Sequence, residues 1–271
     1  MTDVLPKDPQ SVANAEHRAW QAAASLYEDN VAFLTALSGQ YELIQEVAGT
    51  ETDSIILDVG CGPGLLAAQL ANSAKRVVGI DFSSNMIQEA SSRFPQLEFH
   101  EADAEKIPFD DQTFDCVVVN YCAHHLARPA KALGELHRVV RQGGRIVIVH
   151  PIQSRQASWG SFLEALLEEL PPETNPSGPL LNVEEPEDYI TLLKSCGFQK
   201  PKCEVRVKPV KVGSVNQLLT AAWAITGLDD QPKDTQARVR RETIHNANKY
   251  LLPDGSFEFP DEVLLAWAER G

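Results

Sequence analysis

Basic charge is scarce in this sequence. Its 271 residues carry 24 Lys and Arg against 38 Asp and Glu, a net charge of −14. Nucleic-acid phosphates bind basic patches, and a field this acidic repels them, so no nucleic-acid partner is expected. Cysteine pairs are lacking too. Cys61, Cys116, Cys122, Cys196 and Cys203 include no C-x-x-C spacing, and their number is odd. That argues against a structural metal site and a secreted disulfide framework, and for reduced thiols in a cytoplasmic compartment. No run of 18 apolar residues exists, so no membrane span is expected. The opening MTDVLPKDPQS holds acids and prolines and no apolar stretch, unlike a secretory signal. What is present is ordinary for a globule: 43% hydrophobic and 23% charged residues. The length suits one large domain, or one domain with a lid, and can bury a core without staples.

Residues 1–10 read as a disordered lead. Residues 11–48 read as helix in two pieces, with Trp20, Ala24, Tyr27, Val31, Leu34 and Leu37 at three- and four-residue steps and Gly49 as the stop. The pattern then alternates. Apolar runs at 54–60, 76–81, 97–100, 114–120 and 145–149 read as strands. Residues 65–73, 85–94 and 130–141 read as helices, the last closed by Gly143 and Gly144. Strand–helix alternation with short loops predicts an α/β fold with a parallel sheet covered on both faces. Residues 151–185, with a helix at 156–170 and prolines at 171, 172, 176 and 179, read as an insertion over one sheet edge. A helix at 186–196 and a strand from Phe198 to about Val207 resume the alternation. Residues 214–250 read as helical, and 262–268 as a last strand.

The chemistry concentrates in Leu57-Asp58-Val59-Gly60-Cys61-Gly62-Pro63-Gly64, between the first strand and the next helix. Glycines there allow a tight turn and close approach of a ligand, and the following helix offers unpaired N–H groups. The dinucleotide fingerprint needs glycine five steps after Gly60, where Leu65 stands, and no Gly-Lys-Ser/Thr follows for a phosphate loop. An acid such as Asp58 is a poor neighbour for a pyrophosphate and a good one for an ammonium. Asp81 ends the second strand, where a carboxylate can accept from both hydroxyls of a ribose. Asp103 and Ala104 follow the third strand, placed to meet an exocyclic amine and a ring nitrogen. Phe82, Met86 and Ile107 are placed to sandwich a flat base.

LDVGCGPG, VVGIDFSSNMI, EADAEKIPFDDQTFDCVVVN and HRVVRQGGRIVIV, in that order, resemble the motif series of class I S-adenosylmethionine-dependent methyltransferases. Within these the chain is similar to the small-molecule type 11 group of ubiquinone and menaquinone methylases, over about residues 50–150 and again at 192–203. The resemblance implies a Rossmann-like, seven-stranded, mostly parallel sheet in the order 3-2-1-4-5-7-6. It implies S-adenosyl-L-methionine as cofactor. Gly60, Cys61, Gly62 and Gly64 would let its methionine part pass, and Asp58 and Asn120 would meet its amino group. Asp81 would hold the ribose, Asp103 and Ala104 the adenine, and Tyr27 would close over the cofactor. Residues 1–48 would form a helical lid and 49–271 the methyltransferase domain, with substrate-cap insertions at about 151–185 and 214–250. The implied reaction is methyl transfer to an oxygen, nitrogen or carbon of a small-molecule acceptor. The alternative is a protein of the same fold that binds the cofactor without methyl transfer, as a cyclase, decarboxylase or partner module.

His124 and His125 follow the fourth strand and are the candidate catalytic residues. A histidine there can take a proton from a substrate hydroxyl; the competing reading is loop packing. His150, ending the fifth strand, is a further candidate at the same rim. Trp20, Trp159, Phe162 and Trp223 line an apolar acceptor pocket or belong to the core. The N/D-P-P-Y/F tetrapeptide of nucleic-acid methylases is replaced by Asn120-Tyr121-Cys122-Ala123.

Overall fold

A computed structural model describes residues 8–30, 40–169, 183–226 and 232–271. Val31, Leu34, Leu37 and the prolines at 171–179 fall outside the described residues. Five strands pair in parallel: β1 (Ile55–Val59), β2 (Arg76–Asp81), β3 (Glu98–Glu101), β4 (Phe114–Asn120) and β5 (Val140–Pro151). β6 (Phe198–Val212) and β7 (Phe257–Arg270) complete the sheet, with β7 antiparallel to both its neighbours. The order among the described residues is β3-β2-β1-β4-β5-β7-β6, the Rossmann-like order that the sequence motifs imply.

Successive strand residues point to opposite faces. Leu57, Val59, Val117, Val119, Ile146 and Ile148 join one core together with side chains of two helices, Pro129–Val139 and Pro186–Ser195. Their alternates Ile56, Cys116, Val118, Val147 and Val149 join a second core with the helices Gln40–Ala48 and Leu65–Leu70. Both faces are dry, so the strands read as unbroken apolar runs rather than alternating ones. Removing one such side chain, as in Leu57→Ala, is expected to cost about 2–5 kcal/mol of stability, read by denaturant unfolding.

In chain order the helices are α1 (Pro9–Asn30), α2 (Gln40–Ala48), α3 (Leu65–Leu70), α4 (Ser84–Arg93), α5 (Pro129–Val139), α6 (Ala157–Glu169), α7 (Pro186–Ser195), α8 (Val215–Thr226) and α9 (Lys233–Ala247). Several expected boundaries move: α1 begins at Pro9, inside the stretch expected to be a disordered lead, and β5 and β7 outrun the expected 145–149 and 262–268. α3 stops at Leu70 because Ser73 turns back onto its carbonyl, donating from the backbone N–H (3.0 Å) and the hydroxyl (3.2 Å). α5 stops at Val139, and Gly143 and Gly144 lie inside β5 rather than closing a helix. The β4–β5 register shifts between Phe114 and Cys116, and there β5 passes so near β4 that a Cβ on Gly144 would sit 2.7 Å from the Asp115 carbonyl.

β6 and β7 are long, 15 and 14 residues against five in β1. The β5–β7 pairing ends at Pro151 and Val263, while β6–β7 pairing runs on to Val212 and Phe257. The overhanging ends supply Val210, Val212, Phe257 and Phe259 to a third core, completed by Phe162 of α6, Leu218 and Ala221 of α8 and Ala247 of α9. This is why β6 outlasts the expected end near Val207. Its far half buries Lys208, Val210 and Val212 in alternation, and the lysine hides the pattern. α1 packs on α4 and α8. Among the described residues no helix is long and apolar enough to cross a membrane.

Candidate active site

The carboxyl ends of β1, β2 and β4 meet at one rim, with the loop after β3 beside them. After β1 the chain turns through Gly60 (φ +68°), Gly62 (φ +52°) and Gly64 (φ +80°), all left-handed. Gly60 and Cys61 donate to the Ile80 carbonyl at 2.8 and 3.0 Å, which clips the loop to β2. The glycines differ in what surrounds them. A Cβ on Gly60 would overlap the Cys122 side chain, and one on Gly64 would meet the Phe99 ring at 2.7 Å. A Cβ on Gly62 would meet nothing within 4 Å. Gly60 and Gly64 are thus demanded by the protein's own packing, whereas Gly62 borders open space.

That space is an open hollow lined by Asp58, Gly60, Cys61, Gly62 and Asn120, with Pro63, Leu65 and Leu66. Asp58 is 1% exposed, and its Oδ2 has no hydrogen-bond partner. Burial, and then the charge of Asp81, push its carboxyl up to about 7. A buried acid in this state is a socket for a cation.

A second, larger hollow adjoins the first at Gly60. Its walls include Asp81, Phe82, Asp103, Ala104, Cys122 and His125, with Ala13 of α1 on one side. Asp81 is held on both oxygens: Oδ2 accepts from Gly62 N–H at 3.0 Å and Oδ1 from Ser83 N–H at 2.9 Å. Burial raises its pKa and these two bonds oppose the rise. Ser83, not Asp81, caps α4, its side chain accepting from Met86 N–H. Asp103 is exposed and accepts from Glu105 N–H at 2.8 Å in a local turn. Met86 and Ile107 are 2% and 3% exposed, so the expected sandwich of a base between them and Phe82 is not formed: both face the protein interior, and only Phe82 borders the hollow. Tyr27 and Trp223 lie in α1 and α8, and their side chains are outside those described.

Three imidazoles cluster at the back of this rim, one pair tilted and the other edge-to-face. His124 lies 4.0 Å from His125 and 5.5 Å from His150, centroid to centroid. His150 is 1% exposed and its Nδ1 shares a 2.8 Å hydrogen bond with the Tyr189 hydroxyl. Burial, then the neighbouring His125, lower His150 to about 4. The unfolded chain therefore takes up a proton near pH 6.5 that the folded chain refuses until about 4. Stability is expected to fall as pH drops through that window, by up to about 1.4 kcal/mol per pH unit, with His150→Gln flattening the slope in urea titrations.

Trp20, one of the expected pocket or core aromatics, packs on His125, and other neighbours there carried no signal in the sequence. Glu16 and Trp20 of α1 reach His125: Glu16 Oε2 is 2.9 Å from His125 Nδ1, and the Trp20 ring meets the imidazole edge-on at 4.9 Å. Gln21 staples α1 to the start of α4 through Ser83 and Ser84 at 2.5 and 2.6 Å. Lys208, 2% exposed, lies over the Tyr121 ring at 4.9 Å, next in chain to Asn120. Trp159 and Phe162 pack together (5.4 Å) in the third core, which leaves Phe162 no pocket-facing surface.

Comparison with known proteins agrees with this geometry. The family described as "Methyltransferase domain" matches residues 57–148. A demethylmenaquinone methyltransferase of Streptomyces avermitilis is 30% identical over 62% of this chain and 68% of its own length. One of Clavibacter sepedonicus is 43% identical over 34% of this chain and 39% of its own. The chain spans about half the length of the first curated relatives it matches. The crystal structure of YcgJ from Bacillus subtilis shares the fold, with a TM-score of 0.58 at 20% identity, covering 85% of this chain and 97% of that one. With the strand order and the glycine loop, these matches show that the chain belongs to the class I S-adenosylmethionine-dependent methyltransferases, in the menaquinone-methylase-like group.

Proposed function

We propose that the chain transfers the sulfonium methyl of S-adenosylmethionine to a small-molecule acceptor. The observation that carries this reading is the buried Asp58 carboxylate, one oxygen without a partner, in a hollow that continues past Gly60 to Asp81 and Asp103. A molecule bearing an ammonium, two hydroxyls and an exocyclic amine fits these three acids in that order. Asp58 and Asn120 would take the ammonium, and Gly62 leaves room for the chain beyond it. Asp81 retains acceptor sites for the ribose hydroxyls after serving two N–H groups. Asp103 and Ala104 would meet the adenine edge, with Phe82 against its face. Bound there, the donor supplies a methyl already activated on sulfur, so the protein's work is alignment and exclusion of water. α1 walls the cofactor side, and the third core of α6, α8 and α9 would form the acceptor cap.

The relatives named demethylmenaquinone methyltransferase support a quinol or phenol acceptor. Purified protein with methyl-labelled donor and a panel of quinols, phenols and amines tests this. Accumulation of S-adenosylhomocysteine with one of them is expected. Tight cofactor binding without turnover on the whole panel would favour a non-methylating member of the fold.

Asp58 gives the reading a pH signature. Folded, it keeps its proton to about 7, against 3.8 ordinarily. Its contribution to stability is therefore present below pH 3.8 and lost as pH rises through 7. An ammonium seated against it favours the ionised form, so binding below pH 7 releases a proton. Affinity for S-adenosylhomocysteine is expected to rise with pH up to about 7, by as much as about tenfold per unit, then level off. Calorimetry in buffers of different ionisation enthalpy reads the released proton directly; Asp58→Asn should release none.

A further inference from the structure

We infer that Glu16, on the N-terminal helix, is a positioning residue that sets His125 as the base for the acceptor's proton. The inference rests on the methyl-transfer reading above. Glu16 Oε2 lies 2.9 Å from His125 Nδ1 and also accepts from Trp20 Nε1 at 3.2 Å. Both partners are shielded, with the His125 side chain 24% and the Glu16 side chain 16% exposed. A carboxylate only accepts, so the pair puts the imidazole proton on Nδ1 and leaves the lone pair on Nε2. Nε2 makes no hydrogen bond among the described residues, and the ring borders the hollow that also holds Asp81 and Phe82.

The other two histidines of the cluster lack this arrangement. His150 has Nδ1 engaged by Tyr189 and is sealed from the hollow. His124 has a buried Nδ1 with no partner, and burial, then His125 and His150, hold its pKa well below the usual value. Among the three, His125 is the one with a carboxylate behind it. The titratable groups facing it are Glu16 from α1, Asp81 at the end of β2, Cys122 and His124 on its own loop, and His150 at the end of β5.

A base so placed suits an acceptor with an acidic hydroxyl, a phenol, quinol or enol. The hydroxyl proton passes to His125 Nε2. The pair it leaves forms the bond to the methyl carbon, at that oxygen or through a conjugated ring carbon that then returns its own proton to the oxygen. The carbon–sulfur pair stays on sulfur. The imidazolium pairs with Glu16 until its proton reaches water, and no further reactant is needed.

The test uses histidine-labelled full-length protein saturated with S-adenosylhomocysteine, in NMR tautomer measurements on wild type, E16Q and E16D, with H125Q for assignment. The expected result is a proton on Nδ1 and an unprotonated Nε2 in neutral His125. E16Q should lose that preference, E16D should keep most of it, and calorimetric cofactor affinity should change less than threefold. With 1,4-dihydroxynaphthalene as the acceptor probe, kcat should fall by about tenfold or more in E16Q with KM little changed, and E16D should recover most of it. The opposite tautomer in wild type would overturn the inference. So would an unchanged tautomer and kcat in E16Q with lost cofactor affinity, which reduces the pair to a latch for α1. Wild-type protein that fails to bind S-adenosylhomocysteine at all would instead sink the underlying methyl-transfer reading, and this role with it.

Discussion

Asp81→Ala is expected to weaken S-adenosylhomocysteine binding by well over tenfold, more than about 1.4 kcal/mol. Two losses combine. In the proposed binding mode the ribose hydroxyls lose their acceptor, and Gly62 and Ser83 lose the carboxylate that their N–H groups reach at 3.0 and 2.9 Å. The Gly62 bond matters for the first hollow too, because it fixes the glycine that borders the open space. Asp81→Asn should be nearly as harmful. Its amide has one oxygen, so its NH₂ must face one of the two backbone donors, and a buried donor left unpaired costs about 1–3 kcal/mol. Calorimetry decides the matter; an unchanged dissociation constant in either variant removes Asp81 from the binding site.

The second large effect is on stability. Gly60→Ala places a side chain at φ +68°, which costs roughly 1–2 kcal/mol, and drives its Cβ into Cys122, adding about 1–3 kcal/mol of overpacking. A fall in Tm of roughly 5–15 °C is expected for a chain of this size. Gly62→Ala carries the backbone cost without the clash, so it should melt within a few degrees of wild type while losing cofactor affinity. The double variant Gly60→Ala/Cys122→Ala should recover part of the first loss, because it removes the atoms in the way. Scanning calorimetry of the set would refute the packing account if Gly60→Ala and Gly62→Ala melted alike.

Most of the sheet was legible in the sequence. The centres of β1, β2, β4 and β5 (residues 56–57, 77–80, 116–119 and 146–149) are buried on both faces, so no polar side chain interrupts them. β7 was readable for the same reason at Val263–Ala266, all fully buried. The far half of β6 was not, because Lys208 and Pro209 sit where a core strand would carry valine. Gly143 and Gly144 misled because a glycine pair after a helical stretch looks like a cap whether it turns the chain or lets two strands touch. In the site, Asp58, Asp81, Asp103 and Asn120 could be proposed together because each ends or follows a strand of one sheet, so topology alone gathers them. Glu16 could not. It meets His125 across 109 residues of sequence, and nothing in a polar helix marks which acid turns inward.

The extended ends of β6 and β7 have a bearing on how this scaffold diversifies. The third core, the proposed roof over the acceptor, is mounted on β6 and β7 at one edge of the sheet, away from β1 and β2, which carry Asp58 and Asp81. Under that reading the surface the roof turns toward the acceptor can be rebuilt while the buried Phe162, Leu218 and Phe259 keep it attached, with no toll on the shared cosubstrate.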